Sequence, residues 1–303
     1  MIFSKNTISS QQESRTLFPR ALIQPEGSFR FSAEALLLAS FVYDCENSCK
    51  DTSANVSANA STYEQKKKIL NFADLGTGCG VIPFALFLLN QNNSKNKTPL
   101  LFADGYELIP DLCKAALKNA LNLGFNEFFN IINLDLSKEF SALKKLQKPL
   151  SLQGLKQLHN KSLITNQYDF IVTNPPYRLS QCGKVPQSEL RRIALFEERG
   201  SLKSFALFAK HKLKKQGALY CVYPTNRKDY LLNQLTELNL YPKRILHIYG
   251  NENKVAPFFL IEAINELPVK PSFLPPLTLY RNNCVTKEAL DFCPFLSCNQ
   301  KRN

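Results

Sequence analysis

Seven short apolar runs alternate with stretches of helical period along this chain, so strands and helices are predicted in turn. The runs 69–75, 100–107, 128–134, 168–173, 217–223, 244–249 and 258–264 are rich in Ile, Val, Leu, Phe and Tyr and read as buried strands. Helices are predicted over 81–87, 111–123, 201–215 and 229–238. An earlier one starts after Ser32, with Glu34 in its first turn. This alternation predicts an α/β fold, a doubly wound and mostly parallel sheet of seven strands. The last two strands are separated only by the short stretch 250–257, so they pair antiparallel.

Between these elements the pattern breaks in four places. Residues 1–20 are polar without a period and are expected to form a mobile arm. Residues 44–68 are mostly Asn, Ser, Ala, Thr and Lys. They lack the bulky apolar groups that repay ordering, so they read as a surface insertion. Residues 137–167 form a second insertion, with Lys138, Lys144, Lys145, Lys148, Lys156 and Lys161 against Glu139. Such a run is either a solvated face or a basic flap that would position a polyanion's backbone. The stretch after Pro268 is proline-rich and expected on the surface. One domain over 21–290 and a tail over 291–303 follow.

Composition narrows the function classes. No apolar run approaches the roughly 18 residues of a membrane span. The N-terminus has no apolar signal core, so a cytoplasmic address is expected. Nine cysteines are scattered without a CxxC pair, which reads as reduced thiols and not as a disulfide framework or a metal site. The net charge of +13 favours polyanionic partners, nucleic acid first.

The chemistry lies at strand ends. The first strand runs through Asp74 into Gly76-Thr77-Gly78-Cys79-Gly80 and then a helix with Pro83 in its first turn. A ligand is expected at the carboxyl end of such a strand. The spacing is GxGxG, with Val81 where a dinucleotide loop has its third glycine. That suits S-adenosylmethionine (SAM), although the loop alone leaves NAD open. Glu107 and Asp135 end the next two strands, where one can hold ribose hydroxyls and the other an adenine amino group. The fourth strand ends in Asn174-Pro175-Pro176-Tyr177. The prolines stiffen that turn. The Asn174 oxygen and a proline carbonyl can then accept both N–H groups of a target amine, while Tyr177 stacks on a flat substrate.

Together these pieces resemble the class I SAM-dependent methyltransferases that modify exocyclic amino groups. More closely, the chain resembles the bacterial tRNA (adenine-N6)-methyltransferases, which act on adenosine 37 of a valine tRNA. The segment Gly27-Ser28-Phe29-Arg30-Phe31-Ser32-Ala33-Glu34-Ala35-Leu36-Leu37-Leu38, the Asn-Pro-Pro-Tyr turn, and in the tail Pro242-Lys243-Arg244-Ile245-Leu246, Leu260-Ile261-Glu262-Ala263 and Pro275-Pro276-Leu277-Thr278-Leu279-Tyr280 carry that likeness. The resemblance implies a Rossmann-like fold, SAM as cofactor, a tRNA substrate, no metal and a monomer or weak dimer. It implies a cofactor site of Phe31, Asp74, Gly76, Thr77, Gly78, Gly80, Glu107, Asp135 and Asn174, with residues 29–38 closing over the methionine end. Asn174, Pro175, Pro176 and Tyr177 would be catalytic, and Arg30, Lys144, Lys145, Arg191 and Arg192 would touch RNA. The chain departs from the family at Ala194-Leu195, where an Ala-Arg pair is usual. Related methyltransferases modify a glutamine amide in protein, or rRNA or DNA. A non-enzymatic RNA-binding module on the same fold is a further alternative.

Overall fold

A computed structural model describes residues 2–28, 30–48, 68–92, 99–138, 167–177, 202–251 and 255–299. At the centre of the parallel part of the sheet, β1 (Ile69–Leu75) lies between β2 (Leu100–Glu107) and β4 (Tyr168–Thr173), parallel to both. β3 (Phe129–Asn133) extends the sheet beyond β2, and β5 (Leu213–Pro224) extends it beyond β4, again in parallel. The strand order therefore turns back at β1, which opens a crevice at the carboxyl ends of β1 and β4. β7 (Phe258–Ile264) inserts between β5 and β6 (Tyr241–Asn251), antiparallel to both.

Helices cover both faces because the inner strands are apolar on both. α2 (Ala33–Ser48), α3 (Val81–Asn92) and α4 (Pro110–Leu123) pack on the face bearing Leu70, Phe72 and Phe170. α5 (Leu202–Lys212) and α6 (Lys228–Glu237) pack on the face bearing Ala73, Leu75 and Ile171. None of the described helices is long and apolar enough to cross a membrane.

The seven expected strands are all present, and five boundaries need correction, the first being the helix expected over 201–215, which ends at Lys212 where β5 begins. Residues 1–20, expected as a mobile arm, hold α1 (Ile2–Thr16) docked on α4. Arg15 Nε donates to the Leu123 carbonyl at 2.8 Å, Gln11 Nε2 donates to that of Leu121 at 3.4 Å, and the Arg15 guanidinium lies 4.9 Å from the Phe125 ring centroid. Arg15 satisfies the Leu123 carbonyl at the end of α4 and Gln11 adds a second donor to that of Leu121, which Gly124 N already reaches, so a polar sequence can dock there without an apolar stripe. Residues 44–48, assigned to the first insertion, complete α2; residues 49–67 and 139–166 lie outside the described set.

The stretch after Pro268 does not merely lie on the surface. β8 (Ser272–Phe273) and β9 (Leu277–Arg281) pair in parallel with β6, and β10 (Cys284–Val285) pairs with β9. Pro271 precedes β8, and Pro275 and Pro276 fall between β8 and β9, where no ladder N–H is needed. Nor is 291–299 a separate tail. α7 (Lys287–Phe292) and the turn Pro294–Asn299 bury Cys293 and Leu296 in the core beside α2, and Phe295 packs edge-on against Phe18 at 5.0 Å.

Candidate active site

The loop from β1 to α3 holds Gly76, Gly78 and Gly80 at φ values of 73°, 59° and 87°. Side chains other than glycine rarely adopt that backbone region. The Gly76 and Thr77 N–H groups donate to the Tyr106 carbonyl at 2.8 and 3.0 Å, which fixes the turn against β2. A Cβ on Gly78 would meet nothing within 4 Å, and one on Gly76 only the Phe205 ring at 3.8 Å, so both leave space for a ligand.

Gly80 differs. A Cβ there would lie 2.4 Å from Phe84, whose buried ring packs on Phe125 and Phe129. Gly80→Ala is expected to destabilise the protein by about 1–3 kcal/mol through overpacking. An unchanged urea midpoint would show that the ring can give way.

Two buried acids lie against this loop. Glu107 accepts from Gly78 N through Oε2 at 2.8 Å and from Ile109 N through Oε1 at 2.9 Å. Burial pushes its carboxyl up, partly offset by the N–H groups of Ile109, Gly78 and Leu108. Asp74 is wholly buried, and burial pushes it up to about 7. The Thr77 hydroxyl pulls it down and Glu107 pushes it further up. Neither Asp74 oxygen nor the Thr77 hydroxyl is in hydrogen-bond geometry with a described residue. The Thr77 hydroxyl is close enough to lower the Asp74 carboxyl without a well-formed hydrogen bond, so this buried acid is under-satisfied, which is costly.

The Asn-Pro-Pro-Tyr turn forms the opposite wall. Thr173 Oγ1 donates to the Leu75 carbonyl at 2.9 Å, locking the end of β4 to the end of β1. Asn174, Pro175, Pro176 and Tyr177 line the same cavity as Phe31, Gly76, Thr77, Gly78 and Glu107. Ile109, Leu112, Leu134 and Leu136 supply an apolar side, fit for a flat ring. Among the described residues, no group of three or more His, Cys, Asp or Glu side chains is arranged to hold a metal ion.

Other expected site residues lie elsewhere. Asp74 sits beneath the loop, and Gly80 faces Phe84. Asp135 does not line the cavity, although Leu134 and Leu136 do. Its Oδ1 accepts from Ser137 N at 3.1 Å, Ser137 Oγ at 2.6 Å and Lys138 N at 3.4 Å. Those local donors, at the start of a helical turn, hold the carboxylate in a capping role. Arg30 is exposed and does not line the cavity. Phe29, Lys144, Lys145, Arg191 and Arg192 lie outside the described residues.

Three residues that the motifs did not mark also shape the site. Buried Asn119 donates to the carbonyls of Cys79 and Ile23, both at 3.0 Å, and accepts from Ile23 N at 2.8 Å. It thus ties the segment leading to Phe31 onto the glycine loop. Its signal was a lone amide on the apolar stripe of α4, among Leu112, Ala115, Ala116 and Leu123. Asn119→Ala orphans several of these partners, so a loss of about 2–4 kcal/mol is expected from equilibrium unfolding; a loss under half a kcal/mol would make the tie incidental. Asn133 Nδ2 donates to the carbonyls of Glu107 and Leu108 at 2.9 and 3.0 Å, fixing the acid's loop. Arg227 Nη1 donates to the Tyr177 carbonyl at 2.6 Å. No sequence signal marks Arg227, because its role depends on β5 ending beside β4.

No family model matches the chain. The tRNA1(Val) (adenine(37)-N6)-methyltransferase of Cytophaga hutchinsonii is 24% identical over 216 residues, covering 71% of this chain and 74% of that protein. Its namesake from Pedobacter heparinus is 23% identical over 189 residues, covering 62% and 67%. Among solved structures, a predicted O-methyltransferase from Agrobacterium tumefaciens superposes with a TM-score of 0.52 at 15% identity, over 86% of this chain and 95% of that one. A Listeria monocytogenes protein, assigned by its own description to the class I SAM-dependent methyltransferases, superposes with a TM-score of 0.50 at 16% identity, over 95% and 78%. The chain is therefore built on the Rossmann-like fold of the class I methyltransferases and is similar in sequence to two bacterial tRNA1(Val) (adenine(37)-N6)-methyltransferases.

Proposed function

We propose that this protein is a SAM-dependent methyltransferase that methylates N6 of an adenine in RNA, the adenosine at position 37 of a valine tRNA being the substrate its relatives favour. The observation that carries this reading is a single cavity walled on one side by the glycine loop and Glu107 and on the other by Asn174, Pro175, Pro176 and Tyr177. The same reading makes it a cytoplasmic enzyme, working as a monomer or weak dimer.

SAM suits the donor set. Bound SAM supplies a sulfonium-activated methyl group, so the protein's task is positioning. Asp74, beneath the loop, favours a cationic amino group nearby. Each Glu107 oxygen already accepts one backbone N–H and keeps a lone pair for a ribose hydroxyl. Gly76 and Gly78 leave room for close approach, and Phe31, Ser32 and Ala35 wall the far side. The Asn174 amide oxygen and the Pro175 carbonyl each accept one N–H of the target amine. Its nitrogen lone pair then faces the methyl donor. Tyr177 stacks on a base turned out of its loop.

The test is an assay with tritiated SAM in which total tRNA, rRNA, DNA and cell protein are offered separately and labelled products are identified. Label in tRNA as N6-methyladenosine is expected. Label in protein as methylated glutamine would overturn the nucleic-acid reading, and label confined to DNA or rRNA would move the substrate. SAM binding without any label would overturn the activity.

A further inference from the structure

The cavity wall continues outward along the carboxyl edge of the sheet as a chain of cations and aromatic rings. From the Tyr177 carbonyl the first link is Arg227, whose guanidinium lies 4.6 Å from the Tyr230 ring centroid and 5.5 Å from that of Tyr223. Lys228 follows. Its ammonium lies 5.2 Å from the Phe273 ring centroid, 5.7 Å from that of Phe259 and 3.3 Å from His247 Nε2. Five elements meet here: the turn after β5, the start of α6, β6, β7 and the short strand β8.

Among the described residues, two of the exposed large apolar side chains are rings of this row, Phe273 at 63% and Tyr230 at 39%. Fold stability does not account for a phenylalanine so exposed on a two-residue edge strand. Burial, with a smaller push from Lys228, holds His247 below its ordinary value. It thus stays neutral and can accept from the Lys228 ammonium.

We infer that the row from Tyr177 through Arg227, Tyr230 and Lys228 to Phe273 is a platform for the single-stranded nucleotides that flank the target base. This rests on the RNA reading above and adds to it where the strand runs. Unpaired bases stack on aromatic faces while Lys and Arg follow the phosphates. An interleaved row of both, continuous with the cavity and on a protein of net charge +13, fits that polymer. An acidic protein surface would use the cations and leave Phe273 without purpose.

The test measures binding of a fluorescein-labelled RNA stem-loop, with adenosine unpaired in its loop, to wild type, Phe273→Ala, Phe273→Tyr and Lys228→Ala. Phe273→Ala is expected to raise Kd about tenfold, as loss of one base-stacking partner does. Phe273→Tyr keeps the ring and should bind like wild type. Lys228→Ala should weaken binding and lower the slope of log K against log salt by about 1. SAM affinity, measured in parallel, should stay the same in all variants because these residues lie outside the cofactor cavity. If wild type binds the stem-loop and Phe273→Ala and Lys228→Ala bind it equally well, the platform is overturned while the methylation reading stands. Failure of Phe273→Tyr to restore binding would likewise rule out stacking. If wild type binds no RNA, the RNA reading itself falls and takes the platform with it.

Discussion

Replacing Asn174 with alanine is expected to lower kcat at least about 100-fold while leaving SAM affinity nearly unchanged. The side chain stands on a rigid base. The Thr173 hydroxyl ties the strand end to Leu75, the next two residues are prolines, and Arg227 holds the carbonyl of Tyr177. Alanine keeps this backbone and removes only the amide that would accept from the target amine. The glycine loop, Asp74 and Glu107 belong to other strands and are not disturbed. Single-turnover rates with tRNA, set beside calorimetric SAM titration, separate the two effects. An equal loss of SAM affinity would place Asn174 in cofactor binding instead of amine orientation.

Asp74→Asn is expected to make the cofactor-free protein more stable at pH 8 and to lose that advantage near pH 4. The folded-state carboxyl of Asp74 is pushed from its ordinary 3.8 up to about 7 by burial. Between those values the folded protein holds a proton that the unfolded chain has released. Wild-type stability therefore falls as pH rises through this window, and the loss is complete above about 7. The window spans roughly three units, worth up to about 4 kcal/mol. Asparagine cannot ionise and escapes this loss. Glu107 is also raised by burial and repels the Asp74 carboxylate, so the difference between the two proteins contains that repulsion together with the burial of Asp74. The cost would be in binding: without the charge, affinity for a cationic cofactor should drop at pH 8. Unfolding curves at pH 4, 6 and 8 decide the matter. A wild type that gains stability relative to the variant as pH rises would show that Asp74 is paired, not orphaned.

Asp74 was legible as an acid before a glycine loop, but its lack of hydrogen-bond partners was not. The same division runs through the chain. The sequence by itself determined the seven core strands, the helices between them, the three glycines of the first loop and the stiff Asn-Pro-Pro-Tyr turn. Each of these rests on local physics: side-chain period, the φ freedom of glycine and the fixed φ of proline. Those features were enough to bring Asn174 and Gly78 to neighbouring strand ends, because a doubly wound sheet leaves its crevice there. Only the tertiary structure decided what each polar group faces. Asp135 turned to donors two and three residues away, while Asn119 found Ile23 across 96 positions. The polar N-terminal helix docked through carbonyls at the end of α4, and a proline-rich stretch became three short strands at the β6 side of the sheet because its prolines fell outside them. In each case the deciding partner is remote in sequence or depends on local backbone geometry, and no pattern of hydrophobic and polar residues encodes which donor a carboxylate will meet.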